Sequence, residues 1–197
     1  ESAVAATTHF IVVDAHGNIV CATQSLSVHF GAGVVPPGTG VVLNNSMSNF
    51  DYHDPAHPDY VAPGRRPRST LSPTLVFRDG RPAFAIGVPG AARIPTAMLQ
   101  VLLDRLVLKR SLADAIADTR FHFSIPWKPG EVASIEAEDS LPSSDADELQ
   151  RLGWKIAPGE AAGRGRKFGG INAVEFNADG TLTGFADPRR TNAAVGY

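Results

Sequence analysis

Two short apolar runs on either side of a turn sequence restrict the possible folds of this chain more than any other feature. Phe10–Val13 and Ile19–Ala22 are rich in β-branched residues, and the segment 14–18 between them, Asp-Ala-His-Gly-Asn, favours a tight turn. The pattern predicts a β-hairpin. Because apolar residues occupy successive positions, we expect both faces of the hairpin to be covered. The chain should therefore fold as a sheet enclosed between layers.

Further segments of similar length predict a sheet that is largely antiparallel. Each is short, and two of them flank the turn sequence Asn-Ala-Asp-Gly at 177–180. These predicted strands are Val41–Leu43, Thr74–Phe77, Phe84–Val88, Ala173–Phe176 and Leu182–Phe185.

Helical patterns are confined to the middle and later part of the chain. Apolar residues spaced three and four apart predict a core helix over Ile94–Leu108. Shorter helices are predicted at 115–117, after a capping signal that begins at Ser111, and at 145–152, before Gly153. The proline-rich segment Asp51–Arg68 predicts a surface loop.

Composition excludes several classes of partner. A chain of 197 residues that is 43% hydrophobic can bury the core of one domain. Its 18 basic and 20 acidic residues give a net charge of −2, so nothing indicates binding to nucleic acid or to a membrane, and a small polar ligand is expected. The single cysteine, Cys21, rules out an internal disulfide and is interpreted as a core residue. The compartment stays open between cytoplasm and periplasm.

The residue patterns also give no indication of a metal or nucleotide cofactor. His53 and His57 have Pro55 between them, which disrupts a helical ligand face. The glycine-rich segments 31–33 and 87–90 lack the motifs of phosphate-binding loops. We therefore expect no cofactor.

Thr7 and Thr8 precede the first apolar run. A threonine hydroxyl is a poor nucleophile unless a base lies beside it, and the α-amino group of a chain-terminal threonine can be that base. On the pattern alone, a threonine that opens a strand is explained by β-propensity. The catalytic interpretation depends on the rest of the sequence.

Ordered motifs along the whole chain carry a resemblance. From Thr7 to Tyr197, the chain resembles the small subunit of the γ-glutamyltranspeptidase family. The matching segments are Thr7-Thr8-His9-Phe10, Val13-Asp14 with Gly17-Asn18, Leu43-Asn44-Asn45 with Met47, Arg66-Pro67 with Ser69-Thr70 and Ser72-Pro73-Thr74, Pro89-Gly90-Ala91-Ala92-Arg93-Ile94, Asp187-Pro188-Arg189-Arg190, and Gly196-Tyr197.

The resemblance implies an α+β fold, a four-layer αββα sandwich of the N-terminal-nucleophile hydrolase type. It also implies a precursor that cuts itself before Thr7 and keeps a large subunit as partner. Residues 1–6 would be a pro-segment remnant or the end of that large subunit, and 7–197 the small-subunit catalytic domain. By the same resemblance Thr7 is the nucleophile, Ser25 binds its amine, and Gly90 and Ala91 form the oxyanion hole.

The resemblance also marks a substrate-binding set in which this sequence departs from the family. Its members are Ser27, Ser46, Asn49, Ser69 and Thr70. An acidic residue in the family becomes neutral at Asn49, which weakens selection for an α-amino group on the acyl donor. The segment between Phe50 and Arg66 is short compared with the family's lid loop, which indicates an open site. These departures resemble the branch of glutaryl cephalosporin acylases and small amidohydrolases, so hydrolysis of a small-molecule amide is expected over transfer.

Two other functions remain open from the sequence. A true γ-glutamyltransferase with a glutathione-type donor would use the same residues. If residues 1–6 stay joined to Thr7, its amine is blocked, and a non-catalytic relative that binds an amino-acid-like ligand becomes the alternative. A free threonine at the N-terminus of the purified chain would count against the non-catalytic relative, and the preferred amide substrate would distinguish a transferase from an amidohydrolase.

Overall fold

The computed structural model describes residues 6–124, 133–139, 141–157 and 165–196. The strands in these ranges are β1 Thr7–Val13, β2 Ile19–Ser25, β3 Thr74–Arg78, β4 Arg81–Gly87, β5 Phe121–Ser124, β6 Ser134–Ala137, β7 Lys155–Ala157, β8 Asn172–Phe176 and β9 Leu182–Ala186. The helices are α1 Ile94–Leu106, α2 Leu112–Ala117, α3 Ser143–Arg151 and α4 Gly165–Phe168, with 3-10 turns at Ser46–Asn49 and Ala91–Arg93.

The strands form three sheets. β1 and β2 are the predicted antiparallel hairpin, in which Thr7 lies opposite Ser25 and His9 opposite Thr23. A second sheet has the antiparallel order β3-β4-β8-β9. The third sheet, β5-β6-β7, contains the one parallel pair of strands within the described ranges, β6 with β7. The predicted α+β class with largely antiparallel sheets is confirmed.

The main core lies between the four-stranded sheet and the helices α1 and α2. Successive side chains of a strand point to opposite faces of the sheet, so Phe84 and Ile86 of β4 join the helix-facing core with Ala97 and Val101 of α1. The N-terminus of α2 is capped as predicted, because the amide of Asp114 donates to Ser111 Oγ at 3.1 Å.

The hairpin packs on the other face of this sheet. The side-chain amide of Asn172 donates to the carbonyl of His9 at 2.8 Å, and the thiol of Cys21 lies 3.7 Å from the carbonyl of Ile86. Gly87 is required here because a Cβ at this position would overlap the imidazole ring of His9. Hairpin, sheet and helices therefore form three consecutive layers. Cys21 is only half-buried in its position between the hairpin and the sheet.

The outer face of the hairpin is open, which differs from the expectation that both faces are covered. Phe10, Val12 and Val20 on that face are 40%, 56% and 52% exposed. Within the described ranges, nothing supplies a fourth layer over these side chains.

Other differences concern short segments. The prediction of a strand at Val41–Leu43 is wrong, because the segment is irregular and is joined to 32–34 by only two backbone hydrogen bonds, both at Leu43. Glycines with positive φ at 31, 33, 38 and 40 interrupt any regular pairing there. The strands β5, β6 and β7 were not predicted. The core helix α1 ends two residues earlier than predicted, at Leu106.

Candidate active site

A pocket of about 240 Å³ opens where the end of the hairpin meets the start of α1. Every residue predicted for catalysis or substrate binding lines it except Gly90, which directly precedes a lining residue. The lining residues are Thr7, Ser25, Ser27, Ser46, Asn49, Arg68, Ser69, Thr70, Leu71, Ala91, Ala92 and Ile94.

The hydroxyls of Thr7 and Ser25 form the polar centre of the pocket. They are cross-strand partners at the open end of the hairpin, and their oxygens are 2.9 Å apart. Ser25 Oγ also accepts from the amide of Ser27 at 2.9 Å and donates to the carbonyl of Ala6 at 3.3 Å. With the Ser25 proton directed to Ala6, the Thr7 hydroxyl is the donor of the pair.

The carbonyl of Ala6 belongs to the peptide bond that joins it to Thr7. Its oxygen accepts the amide of Leu26 at 2.9 Å as well as the Ser25 hydroxyl. Two donors thus polarise the carbonyl next to the Thr7 hydroxyl. This arrangement favours nucleophilic attack on that peptide bond.

The turn at Gly90 and Ala91 forms the opposite wall. Gly90 has a φ of +157° and Ala91 a φ of +53°, which costs a residue with a Cβ about 1 kcal/mol or more. The hydroxyl of Thr70 donates to the carbonyl of Ala91 at 2.8 Å and holds this conformation. The turn continues into the 3-10 turn Ala91–Arg93 and α1, and the amides of a first helical turn lack intrahelical acceptors. Such amides are suited to bind a developing oxyanion.

The backbone of Gly90 rests against the segment 168–169. A Cβ at Gly90 would lie 3.1 Å from the carbonyl oxygen of Phe168, and a Cβ at Gly169 would overlap the carbonyl of Pro89. Glycine at both positions allows the two backbones to touch. The conformation of the turn therefore depends on the position of Phe168 and Gly169.

A buried ionic cluster fixes that segment. Arg120, 1% exposed, donates to the carbonyls of Phe168 and Gly169 at 3.2 and 2.8 Å. Its guanidinium pairs with Glu138 at 2.7 Å and lies 3.8 Å from Asp187. Arg189 contacts both carboxylates at 3.3 Å. We call these residues, Arg120, Glu138, Asp187 and Arg189, the buried ionic cluster.

The predicted substrate-binding residues lie on the rim and one wall of the pocket. Asn49 donates its side-chain amide to the carbonyl of Arg68 at 3.0 Å, which ties the 3-10 turn Ser46–Asn49 to the segment 68–71. Ser69 Oγ accepts the amide of Leu71 at 3.2 Å. In this structure Thr70 is engaged with Ala91, so its proton is directed to the turn and not into the pocket.

The sequence analysis did not single out Arg68. It is the only charged residue among those that line the pocket in the described part of the chain. Asp51–Arg68 is a loop as predicted, formed of turns and irregular backbone. The position of Arg68 immediately before Ser69 and Thr70 is the signal that could have identified it.

His9 lies behind the hydroxyl pair, two residue pairs further into the hairpin. Its Nδ1 is 2.8 Å from Thr23 Oγ1, and its Nε2 is 3.8 Å from the sulfur of Cys21. The ring is 2% exposed, and burial lowers the pKa of His9 to about 4. A neutral imidazole therefore supports the hairpin beneath Thr7.

The described residues contain no group of three or more His, Cys, Asp or Glu side chains that could hold a metal ion. None of the helices in the described ranges has the length and apolarity needed to cross a membrane.

Comparison with known sequences gives one family. A family model described as gamma-glutamyltranspeptidase matches residues 2–197. The Acylase ACY 1 proenzyme of Pseudomonas sp. (strain V22) is 42% identical over 180 residues, which are 91% of this chain and 30% of the relative. The glutathione hydrolase proenzyme of Escherichia coli (strain K12) is 34% identical over 202 residues, which are 97% of this chain and 33% of the relative. The chain thus spans about a third of the length of these curated relatives.

Solved structures give the same result. A gamma-glutamyltranspeptidase from Pseudomonas nitroreducens superposes with a TM-score of 0.79 at 31% identity, covering 96% of this chain and 99% of that one. A cephalosporin acylase from Bacillus halodurans superposes with a TM-score of 0.80 at 28% identity, covering 96% of this chain and 34% of that one.

Proposed function

Because this chain belongs to the gamma-glutamyltranspeptidase family, we propose that it is the catalytic small subunit of an N-terminal-threonine amidohydrolase. The enzyme would cleave a γ-glutamyl-type or related carboxyacyl amide, with hydrolysis favoured over transfer. The observation that carries the proposal is the pair of hydroxyls of Thr7 and Ser25, 2.9 Å apart in a pocket whose opposite wall is the Gly90–Ala91 turn. Residues 7–197 would form the catalytic domain, and 1–6 would belong to the preceding segment of a precursor.

Maturation is the first step of the proposed function. Thr7 Oγ attacks the carbonyl carbon of Ala6, the peptide nitrogen leaves as the amine of Thr7, and water hydrolyses the resulting ester. The contacts of the Ala6 oxygen with Leu26 and Ser25 support this step, since they stabilise negative charge on that oxygen. The product is a threonine with a free α-amino group.

In the proposed reaction Thr7 Oγ attacks the substrate carbonyl carbon while its proton passes to the free α-amine of the same residue. The oxyanion faces the amides at Gly90 and Ala91. The C–N bond then breaks, and the leaving amine takes the proton. A water molecule, deprotonated by the α-amine, attacks the acyl-enzyme ester and releases the acid and Thr7.

The preference for hydrolysis rests on the acyl-binding wall. Asn49 is uncharged, and its amide is used to hold Arg68, so it offers no carboxylate to the ammonium of a glutamyl donor. The 42% identity to a protein named an acylase supports the same branch. A true γ-glutamyltransferase would use the same nucleophile and remains the second candidate, favoured by the structural likeness to gamma-glutamyltranspeptidases.

We also propose a large subunit as partner. The outer face of the hairpin, formed by Phe10, Val12 and Val20, is apolar and exposed. A fourth layer that packs on this face would complete the αββα sandwich. The curated relatives are about three times as long as this chain and are named proenzymes, which supports a covering layer from elsewhere in the precursor.

The full-length protein tests the nucleophile. Wild type should yield a chain that begins at Thr7 by intact mass and N-terminal sequencing. Thr7→Ser should still mature, whereas Thr7→Ala should stay uncleaved and inert toward γ-glutamyl, glutaryl and oxamate amides. An added acceptor such as glycylglycine should change the product of wild type little. A wild-type chain still joined through Ala6 and inert to all three amides would contradict the proposal and favour a non-catalytic binding protein.

A further inference from the structure

Among the described residues that line the pocket, one is charged. Arg68 is the only charged residue among the lining residues, and no carboxylate lies among them within the described ranges. The other polar lining groups are hydroxyls and one amide. The described part of the lining therefore carries one positive charge and no negative charge.

The position of Arg68 beside the acyl-binding residues is fixed by a hydrogen bond. Its carbonyl accepts the amide of Asn49 at 3.0 Å, and a carbonyl can only accept, so the nitrogen of the Asn49 amide must face Arg68. Arg68 also directly precedes Ser69 and Thr70 in the chain. The backbone of Arg68 is thus part of the same wall as the predicted acyl-binding residues, and its side chain starts from that wall.

Of the two hydroxyls that follow Arg68, one is already used, which leaves the Ser69 hydroxyl and the guanidinium as donors to an anion. The hydroxyl of Thr70 donates to the carbonyl of Ala91. Arg68 interacts with another group of the chain as well, and five N–H donors allow a guanidinium to serve more than one acceptor. A carboxylate can take two parallel hydrogen bonds from it.

We propose that Arg68 is a specificity-determining residue that selects acyl groups bearing a carboxylate and lacking an ammonium group. The substrate class is the monoamides of dicarboxylic acids, in which the distal carboxylate pairs with Arg68 while the amide carbonyl faces Thr7. An α-ammonium group on the acyl chain is disfavoured, because it meets Arg68 and no lining carboxylate. The inference rests on the proposed function and deepens it.

The test uses three p-nitroanilides with the same acyl chain length: glutaryl, γ-glutamyl and pentanoyl. In the full-length protein, Arg68→Gln should lower kcat/KM for the glutaryl anilide at least tenfold and change that for the pentanoyl anilide less than twofold. Arg68→Lys should retain part of the glutaryl preference, since it keeps the charge and loses the planar fork. The matched control is Arg78→Gln, which removes an exposed arginine of β3 outside the pocket and should change neither value.

The reciprocal variant is Asn49→Asp. It adds a carboxylate to the wall and also removes the hydrogen bond to the carbonyl of Arg68, and it should raise the γ-glutamyl to glutaryl ratio of kcat/KM at least tenfold. Asn49→Leu, which loses the same hydrogen bond without adding a charge, should not raise it. An equal decrease for all three anilides in Arg68→Gln would overturn the inference while leaving the amidohydrolase intact.

Binding of glutarate separates this inference from the proposed reaction. Titration calorimetry with glutarate needs no turnover, so it applies even to a protein that cleaves none of the anilides. Wild type and Arg78→Gln should bind glutarate with equal affinity, and Arg68→Gln at least tenfold more weakly, with unchanged circular dichroism. Equal affinity in all three proteins would overturn the role of Arg68.

Discussion

At the scale of single residues, the hydroxyl of Ser25 has every hydrogen-bonding position occupied. It contacts Thr7 and the amide of Ser27 and donates to Ala6. We predict that Ser25→Ala slows maturation and lowers kcat by about tenfold to a hundredfold at similar KM, because the nucleophile loses its fixed partner. Ser25→Thr keeps the hydroxyl and is the control. Timed mass spectrometry and steady-state kinetics measure both effects, and a normal rate in Ser25→Ala would contradict this role.

The buried imidazole of His9 predicts a pH dependence of stability. Burial lowers its pKa from 6.5 to about 4. Between these values the unfolded chain binds a proton that the folded chain does not, so the free energy of unfolding falls as the pH decreases from 6.5 to 4. In His9→Gln, the decrease in the free energy of unfolding that is due to protonation of His9 should disappear. Urea midpoints of the full-length protein at intervals from pH 7 to 4 measure it; equal slopes in both proteins would count against a neutral His9.

The individual site residues could largely be predicted from sequence. The motifs around Thr7, Asn49, Ser69 and Gly90 resemble family motifs, and the resemblance implies a role for each position. Arg68 could not. A cation in a proline-rich loop is usually solvated, and only the folded chain shows that the carbonyl of Arg68 binds Asn49 and that the residue faces the pocket.

At the scale of elements, the contact between hairpin and sheet depends on Gly87. A Cβ there would overlap the ring of His9. We predict that Gly87→Ala destabilises the protein by about 1–3 kcal/mol and shifts the hairpin that carries Thr7. His9→Ala in the same protein should relieve the overlap, giving a coupling energy of about 1 kcal/mol or more in a double-mutant cycle. Strictly additive losses would show that the ring and Gly87 do not interact.

The long, regular elements were predicted more reliably than the short ones. The hairpin, β3, β4, β8, β9 and α1 follow from runs of apolar residues and turn sequences within each segment. β7 has three residues and pairs in parallel with β6, so its partner lies far from any local turn. Val41–Leu43 has the composition of a strand, but the glycines before it prevent a regular ladder.

At the scale of the whole molecule, the buried ionic cluster joins the start of β5, the ends of β6 and β9, and the segment 168–169. We predict that Arg120→Met lowers the free energy of unfolding by about 3–5 kcal/mol, because among the cluster residues it leaves Arg189 as the one cation for two buried carboxylates, Glu138 and Asp187. The control is Arg151→Met, which breaks an exposed pair with Glu148 and should leave the unfolding midpoint nearly unchanged. Equal midpoints for both variants would contradict the role assigned to the cluster.

The nucleophile and the acyl-binding wall are held in place by different parts of the fold. Thr7 and Ser25 lie on paired strands that pack on the main sheet. The wall consists of a 3-10 turn and the irregular segment 68–71, tied together by the bond between Asn49 and Arg68. After gene duplication, substitutions in these two segments can therefore alter which acyl groups are accepted while the catalytic strands stay unchanged. A directed-evolution library confined to residues 46–49, 68, 69 and 71, which spares the bond between Thr70 and Ala91, would explore new substrates with little risk to folding.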